Sequence, residues 1–189
     1  MHKEGLSAAD ALAKLKEGNA RYMSAVTNPG DISLAIRKDT CENGQSPYAV
    51  VVACSDSRVI PEGIFSAGIG ELFVVRVAGN VIDRHQLGSI EYAAGHLGTK
   101  LVVILGHDHC GAVHSAICDE PDGFVKTITD EIRAAIGDEK DELRASCLNV
   151  AHSVAETKKS PGVQKLMQGG LEVKGAIYHI EDGAVEFLD

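Results

Sequence analysis

Two short strings in this chain carry residues that could bind a metal and work on water: Cys54-Ser55-Asp56-Ser57-Arg58 and Gly106-His107-Asp108-His109-Cys110-Gly111. Each directly follows an apolar run, residues 48–53 in the first case and 101–105 in the second. Runs of that kind read as strands of a parallel sheet buried on both faces. Ligands bind where such strands end, because the loops there part into a crevice. Two strand ends can therefore bring Cys54, His107 and Cys110 to one point. Two thiolates and an imidazole suit zinc, which prefers sulfur and nitrogen in a tetrahedron. Three protein ligands leave a fourth position for water, whose pKa zinc lowers from about 15.7 to about 7. Asp56 can accept a hydrogen bond from that water or bind the metal itself. Arg58 can hold Asp56 ionised through a two-pronged, charge-assisted pair.

Other readings of the same residues are weaker. A closed, non-catalytic zinc site needs a fourth ligand from His109 or Cys118. His109 would have to turn back between its neighbours, and Cys118 lies about 12 Å further along a helix. A cysteine-dependent phosphatase needs an arginine to grip phosphate shortly after its cysteine, where this chain has Ala116 or Ile60. Gly68-Ile69-Gly70 precedes a strand instead of following one, so it reads as a turn and not as a dinucleotide site. Cys41, Cys118 and Cys147 read as ordinary packing thiols. His109 and His114 lie near enough in sequence to relay protons. Asp108 could do so too, or cap the helix that follows.

The elements that must position these residues are legible from patterning. Ser7 opens a helix in which Leu12, Leu15 and Tyr22 recur at helical spacing, ending near Asn28-Pro29-Gly30. Residues 40–46 are polar and aperiodic. Residues 72–77 repeat the doubly buried strand signature. Residues 86–97, 124–136 and 141–155 suit helices, and Pro161-Gly162 reads as punctuation. Residues 172–180 form a strand that turns at Glu181-Asp182-Gly183 into residues 184–188, a hairpin signalled by Asp-Gly. The alternation predicts an α/β fold: about four parallel strands plus a C-terminal antiparallel strand, flanked by helices. No repeat, linker or low-complexity tract divides it, so one domain is expected over 1–189.

Composition narrows the function. The chain has 189 residues, 44% of them hydrophobic, enough for a full-sized core. Its formal charge of −9 argues against a nucleic-acid partner, which favours a basic face. No stretch approaches the roughly twenty apolar residues that span a bilayer, and the first residues lack the apolar core of a signal peptide. Five cysteines, an odd number without a disulfide-like spacing, suit a reducing compartment. A soluble cytoplasmic protein is expected.

Cys-Ser-Asp-Ser-Arg-Val at 54–59 and Gly-His-x-x-Cys-Gly-Ala-Val at 106–113 resemble the two signature motifs of the β-class carbonic anhydrases. The likeness extends to Gly18-Asn19-Ala20-Arg21-Tyr22, Gly44-Gln45-Ser46-Pro47, Phe73-Val74-Val75-Arg76, Ala78-Gly79-Asn80, Gly88-Ser89-Ile90-Glu91-Tyr92 and Gly175-Ala176-Ile177-Tyr178. The resemblance implies reversible hydration of carbon dioxide to bicarbonate, with one zinc per chain held by Cys54, His107 and Cys110. Asp56 and Arg58 match the family's catalytic dyad. Gln45 matches a substrate-binding glutamine, Phe73, Ala78 and Tyr92 match the lining of a narrow apolar channel, and Gly111 matches a glycine whose amide faces the pocket. The resemblance also implies a homodimer with the N-terminal helix laid across the partner, and tetramers or larger assemblies. Ala78 is smaller than the valine of some relatives, so a wider channel is expected. A second, inhibitory bicarbonate site found in some relatives uses a tryptophan where this chain has Val51, and none is expected here. Hydrolysis of carbonyl sulfide or carbon disulfide is the alternative activity on the same scaffold.

Overall fold

The apolar runs pair into one five-stranded sheet, because their side chains can be buried only with helices on both faces. The structure, a computed structural model, describes residues 5–24, 27 and 30–188. Strands β1 (Ala49–Ala53), β2 (Leu72–Arg76), β3 (Leu101–His107), β4 (Glu172–Tyr178) and β5 (Val185–Leu188) lie in the order β2-β1-β3-β4-β5. The first four run parallel and β5 pairs antiparallel with β4. The expected fold class is therefore found, including the closing hairpin.

β1 and β3 are buried along their whole length, and their alternate side chains feed two separate cores, as a period of two requires. Val51, Val103 and Leu105 face α1 (Ala8–Ser24) and α3 (Pro61–Ile64), meeting Ala11, Leu15, Ile64 and Phe65. Val50, Val52, Val102 and Ile104 face the other way. There they meet Ile90 and Ala93 of α4 (Arg84–His96), Val150 of α7 (Glu142–Lys159) and Val163 of α8 (Pro161–Gln168). Full burial of each such side chain is worth about 1.5–3 kcal/mol relative to exposure. This two-sided burial fixes the two strand ends that carry the chemistry. A third core, between α5 (Gly111–Cys118), α6 (Val125–Ile136) and α7, contains Cys54 and Cys110 themselves.

Three local expectations are adjusted. β2 has the composition of a doubly buried strand yet forms the sheet edge, with Phe73, Val74 and Val75 half-buried and Arg76 exposed. Helix α2 (Leu34–Asn43) reaches into the stretch read as aperiodic. It buries no residue, so no apolar stripe marks it, and its start is set by Ser33 accepting from the Ile36 amide. Pro161 does not merely break the chain but opens α8 from its first turn, where its missing N–H costs nothing. α1 is described as far as Ser24, and Asn28 and Pro29 of its expected end lie outside the described residues.

α1 is seated on its own chain at two points. A Cβ on Gly18 would stand 1.9 Å from the Phe65 carbonyl oxygen, so only glycine permits the approach. Beside it, buried Asn19 donates to the carbonyls of Ile64 (3.2 Å) and Gly183 (2.8 Å) and accepts from the Val185 amide (3.0 Å). Asn19→Ala leaves these groups without partners. The expected result is a loss of roughly 2–3 kcal/mol in urea unfolding, with the fold retained.

Candidate metal centre

The ends of β1 and β3 lie side by side, since Ala53 is in register with Leu105. Cys54 follows β1 at once, His107 closes β3, and Cys110 immediately precedes the first turn of α5. One ligand atom from each lies within 4.8 Å of the others, and all three residues are buried. The three expected ligands are thus brought together and could hold a metal ion.

The chemistry of the donor set fits a cation. His107 Nδ1 lies 2.7 Å from the Asp108 carbonyl oxygen and so donates its proton there, which leaves Nε2 as a bare lone pair. That Nε2 is buried and has no hydrogen-bond partner. A hydrogen bond from the Cys110 thiol, aided by the Asp56 and Gly79 amides, favours ionisation of Cys54 against the effect of burial. The same pairing, reinforced by burial, opposes ionisation of Cys110. A second buried negative charge beside the first is uphill unless a positive charge joins them.

The loop after Cys54 is held from several sides. Arg58 Nη2 reaches Asp56 Oδ2 at 2.8 Å and Arg58 Nε reaches Oδ1 at 3.0 Å, the expected two-pronged pair. Arg58 Nη2 also donates to the His109 carbonyl at 3.1 Å, tying the first loop to the second. Arg76, at the end of β2, donates to the carbonyls of Cys54 (3.2 Å) and Asp56 (2.7 Å). Sequence reading gave Arg76 no place in this site. A lone charge ending an apolar strand beside the first motif was the signal available. The Gly79 amide points at Cys54 Sγ from 3.3 Å. Asp108 caps no helix: its carboxylate accepts from the Ile180 amide (3.1 Å) and faces His179, joining the second loop to the end of β4.

The residues expected to meet substrate are more scattered. Phe73 and Tyr92 pair with ring centroids 6.1 Å apart at the β2 edge, and Tyr92 is half exposed. Ala78 opens the short 3-10 turn Ala78–Asn80, and Gly111 is the exposed first residue of α5. Gln45 stands exposed between α2 and β1. His114, considered as a proton relay, instead binds Glu142 at 2.7 Å on the exposed face of α5.

A parallel α/β sheet with a buried Cys-His-Cys cluster at its strand ends defines a metalloenzyme-type scaffold. Residues 49–185 match the family model described as "Carbonic anhydrase". The carbonic anhydrase of Mycolicibacterium smegmatis is 40% identical over 185 residues, spanning 91% of this chain and 89% of the relative. Carbonic anhydrase 2 of Mycobacterium tuberculosis is 34% identical over 187 residues, with 93% and 90% covered. Among solved structures, the β-carbonic anhydrase CafA of Aspergillus fumigatus superposes with a TM-score of 0.76 at 29% identity, covering 96% of this chain and 90% of its own. A tetrameric β-carbonic anhydrase of Sordaria macrospora gives 0.70 at 28% identity, covering 82% and 91%. The chain belongs to the β-class carbonic anhydrase family.

The Arg58 hydrogen bond, with its backbone and charge, outweighs partial burial and holds the Asp56 carboxyl well below the usual carboxylate range. A depressed folded-state pKa means the pair adds stability above the unfolded value of about 3.9 and loses it as pH falls through the folded one. In Arg58→Ala the Asp56 pKa should rise towards that ordinary value, read by carbon NMR titration of its carboxyl. A value unmoved from the parent would show that Arg58 is not the cause.

Proposed function

We propose that this chain, folded as one domain, catalyses the reversible hydration of carbon dioxide to bicarbonate and a proton, using one zinc per chain held by Cys54, His107 and Cys110. The observation that carries the reading is the unpartnered, buried Nε2 of His107 aimed into a pair of cysteine sulfurs, in a member of this family. When bound, zinc supplies the Lewis acidity that makes water a nucleophile near neutral pH.

The chain's own residues do the rest. Asp56, kept ionised by Arg58, accepts a hydrogen bond from the attacking water and aims its lone pair at the carbon. Phe73, Ala78 and Tyr92 surround an uncharged substrate that needs no counterion, and they exclude bulk water. The Gly111 amide, one of the first-turn N–H groups that helix carbonyls cannot satisfy, donates to the oxygen that gains charge. Gln45 donates to the same product, and the proton passes to buffer. Donors fixed in place before reaction cost no reorganisation as the charge develops.

A homodimer fits the exposure of this machinery. Tyr92 and Gln45 are open in one chain, and β2 leaves its outer edge unpaired. A second copy over that edge closes the channel, and assembly into tetramers extends the same logic. Among the described residues, no helix is long and apolar enough to cross a membrane. The cysteines are free thiols, which suits the cytoplasm.

Cys54→Ala, His107→Ala and Cys110→Ala should each lose bound zinc and hydration activity together, measured by metal analysis and stopped-flow hydration assays. Asp56→Ala should retain zinc while turnover falls about 10²–10⁴-fold. Full zinc and full rate in Cys54→Ala would overturn the assignment. Rates on carbon dioxide and carbonyl sulfide, compared in the same preparation, should favour carbon dioxide.

A further inference from the structure

Cys54 receives one hydrogen bond whose donor is held from outside the two signature loops. The donor is the Gly79 amide, 3.3 Å from Cys54 Sγ. Its aim depends on the 3-10 turn Ala78–Asn80, where the backbone passes through the left-handed region twice in succession, with φ of 67° at Gly79 and 45° at Asn80. The second of these is unusual for a residue with a side chain. A side chain is excluded at Gly79, because a Cβ there would stand 2.7 Å from Ile132 Cδ1 and 3.1 Å from Ala112 Cβ.

What holds the turn is one face of α7. Asn149 Nδ2 donates to the Gly79 carbonyl at 2.7 Å, and Ser153, one helical turn on, donates from Oγ to the Asn80 carbonyl at 3.2 Å. The opposite end of the Gly79–Asn80 peptide is fixed by the Asn80 amide, which donates to the Val77 carbonyl at 3.0 Å. That peptide plane is thus clamped at both ends, and the Gly79 φ and ψ angles of 67° and 15° relate its orientation to that of the amide facing the sulfur. Gly79, Asn80, Asn149 and Ser153 are all buried. The Asn149 Oδ1 has no hydrogen-bond partner, so the side chain acts there through its donor alone. Water cannot substitute at such a buried carbonyl as it would on the surface, which makes the protein donor decisive.

We propose that Asn149 is a positioning residue for the metal centre, acting through the Gly79 carbonyl to hold the Gly79 amide on the Cys54 thiolate. The inference rests on Cys54 being a metal ligand. A hydrogen bond to a metal thiolate draws charge from the sulfur, so it tunes both the strength of the bond and the electron density the ion receives. Ser153 supports the same turn one residue later.

The test uses the full chain, loaded with zinc for affinity and with cobalt(II) for spectroscopy. In Asn149→Leu, similar in size and unable to donate, zinc affinity measured by chelator competition should fall about 10–100-fold. The sulfur-to-cobalt charge-transfer band should move to longer wavelength as the thiolate loses its hydrogen bond. Asn149→Ala serves if the leucine variant does not fold. Val163→Ala, a core truncation in α8 away from the site, controls for loss of stability alone and should leave the band in place. An Asn149 variant with affinity within about twofold of the parent and an unmoved band would overturn the proposal and leave the zinc reading intact. An equal shift in Val163→Ala would also overturn it. Absence of any sulfur-to-cobalt band in the parent protein would sink the zinc reading and this inference together.

Discussion

Two cysteine sulfurs meeting in a buried place set an electrostatic problem that the surrounding structure is arranged around. One thiol ionises readily there, and its charge makes the second ionisation uphill. A divalent cation would resolve the conflict, because it would turn mutual repulsion into shared attraction and could take the bare nitrogen of His107 as well. The neighbouring groups follow from that requirement. Backbone amides approach the sulfur, guanidinium groups brace the carbonyls of the loop, and the histidine's other nitrogen is committed to a carbonyl so that its tautomer is fixed.

The centre is part of the packing and not an addition to it. Cys54 and Cys110 belong to the same apolar cluster as Val113, Ala116, Ile132, Ile136 and Ala145. Burial of that kind lowers the local dielectric and strengthens each polar contact made to the ligands. It also makes each missing contact costly. The loops are therefore tied to several elements at once: to one another through Arg58, to β2 through Arg76 and to β4 through Asp108. Loop residues held by rigid elements on three sides keep Cys54, His107 and Cys110 together.

What could be read from sequence was what packing and ligand chemistry stamp on residue type. β1 and β3 were plain because every position is buried, and Cys54, His107 and Cys110 stood out because such donors cluster at the ends of those strands. The Asp56–Arg58 pair was legible from its spacing alone. β2 misled, since its apolar residues lie at a sheet edge where one chain covers them only in part. α2 left no trace because a helix that buries nothing has no stripe. Asn149 was invisible for a related reason: a single amide inside an otherwise ordinary helix has no periodicity to break, and its partner is a backbone carbonyl that no sequence displays.

The contact made by Asn19 has a consequence for how the molecule is assembled. Its side chain joins the first helix to Gly183 and Val185, 164 and 166 residues further along the chain. Those partners are synthesised long after the helix itself, so the latch cannot close until they have emerged. Until then Leu15 and Ala11 lack the completed hairpin beside them, and the nascent protein waits with an oily flank uncovered. Contacts that close so long a loop form slowly in folding.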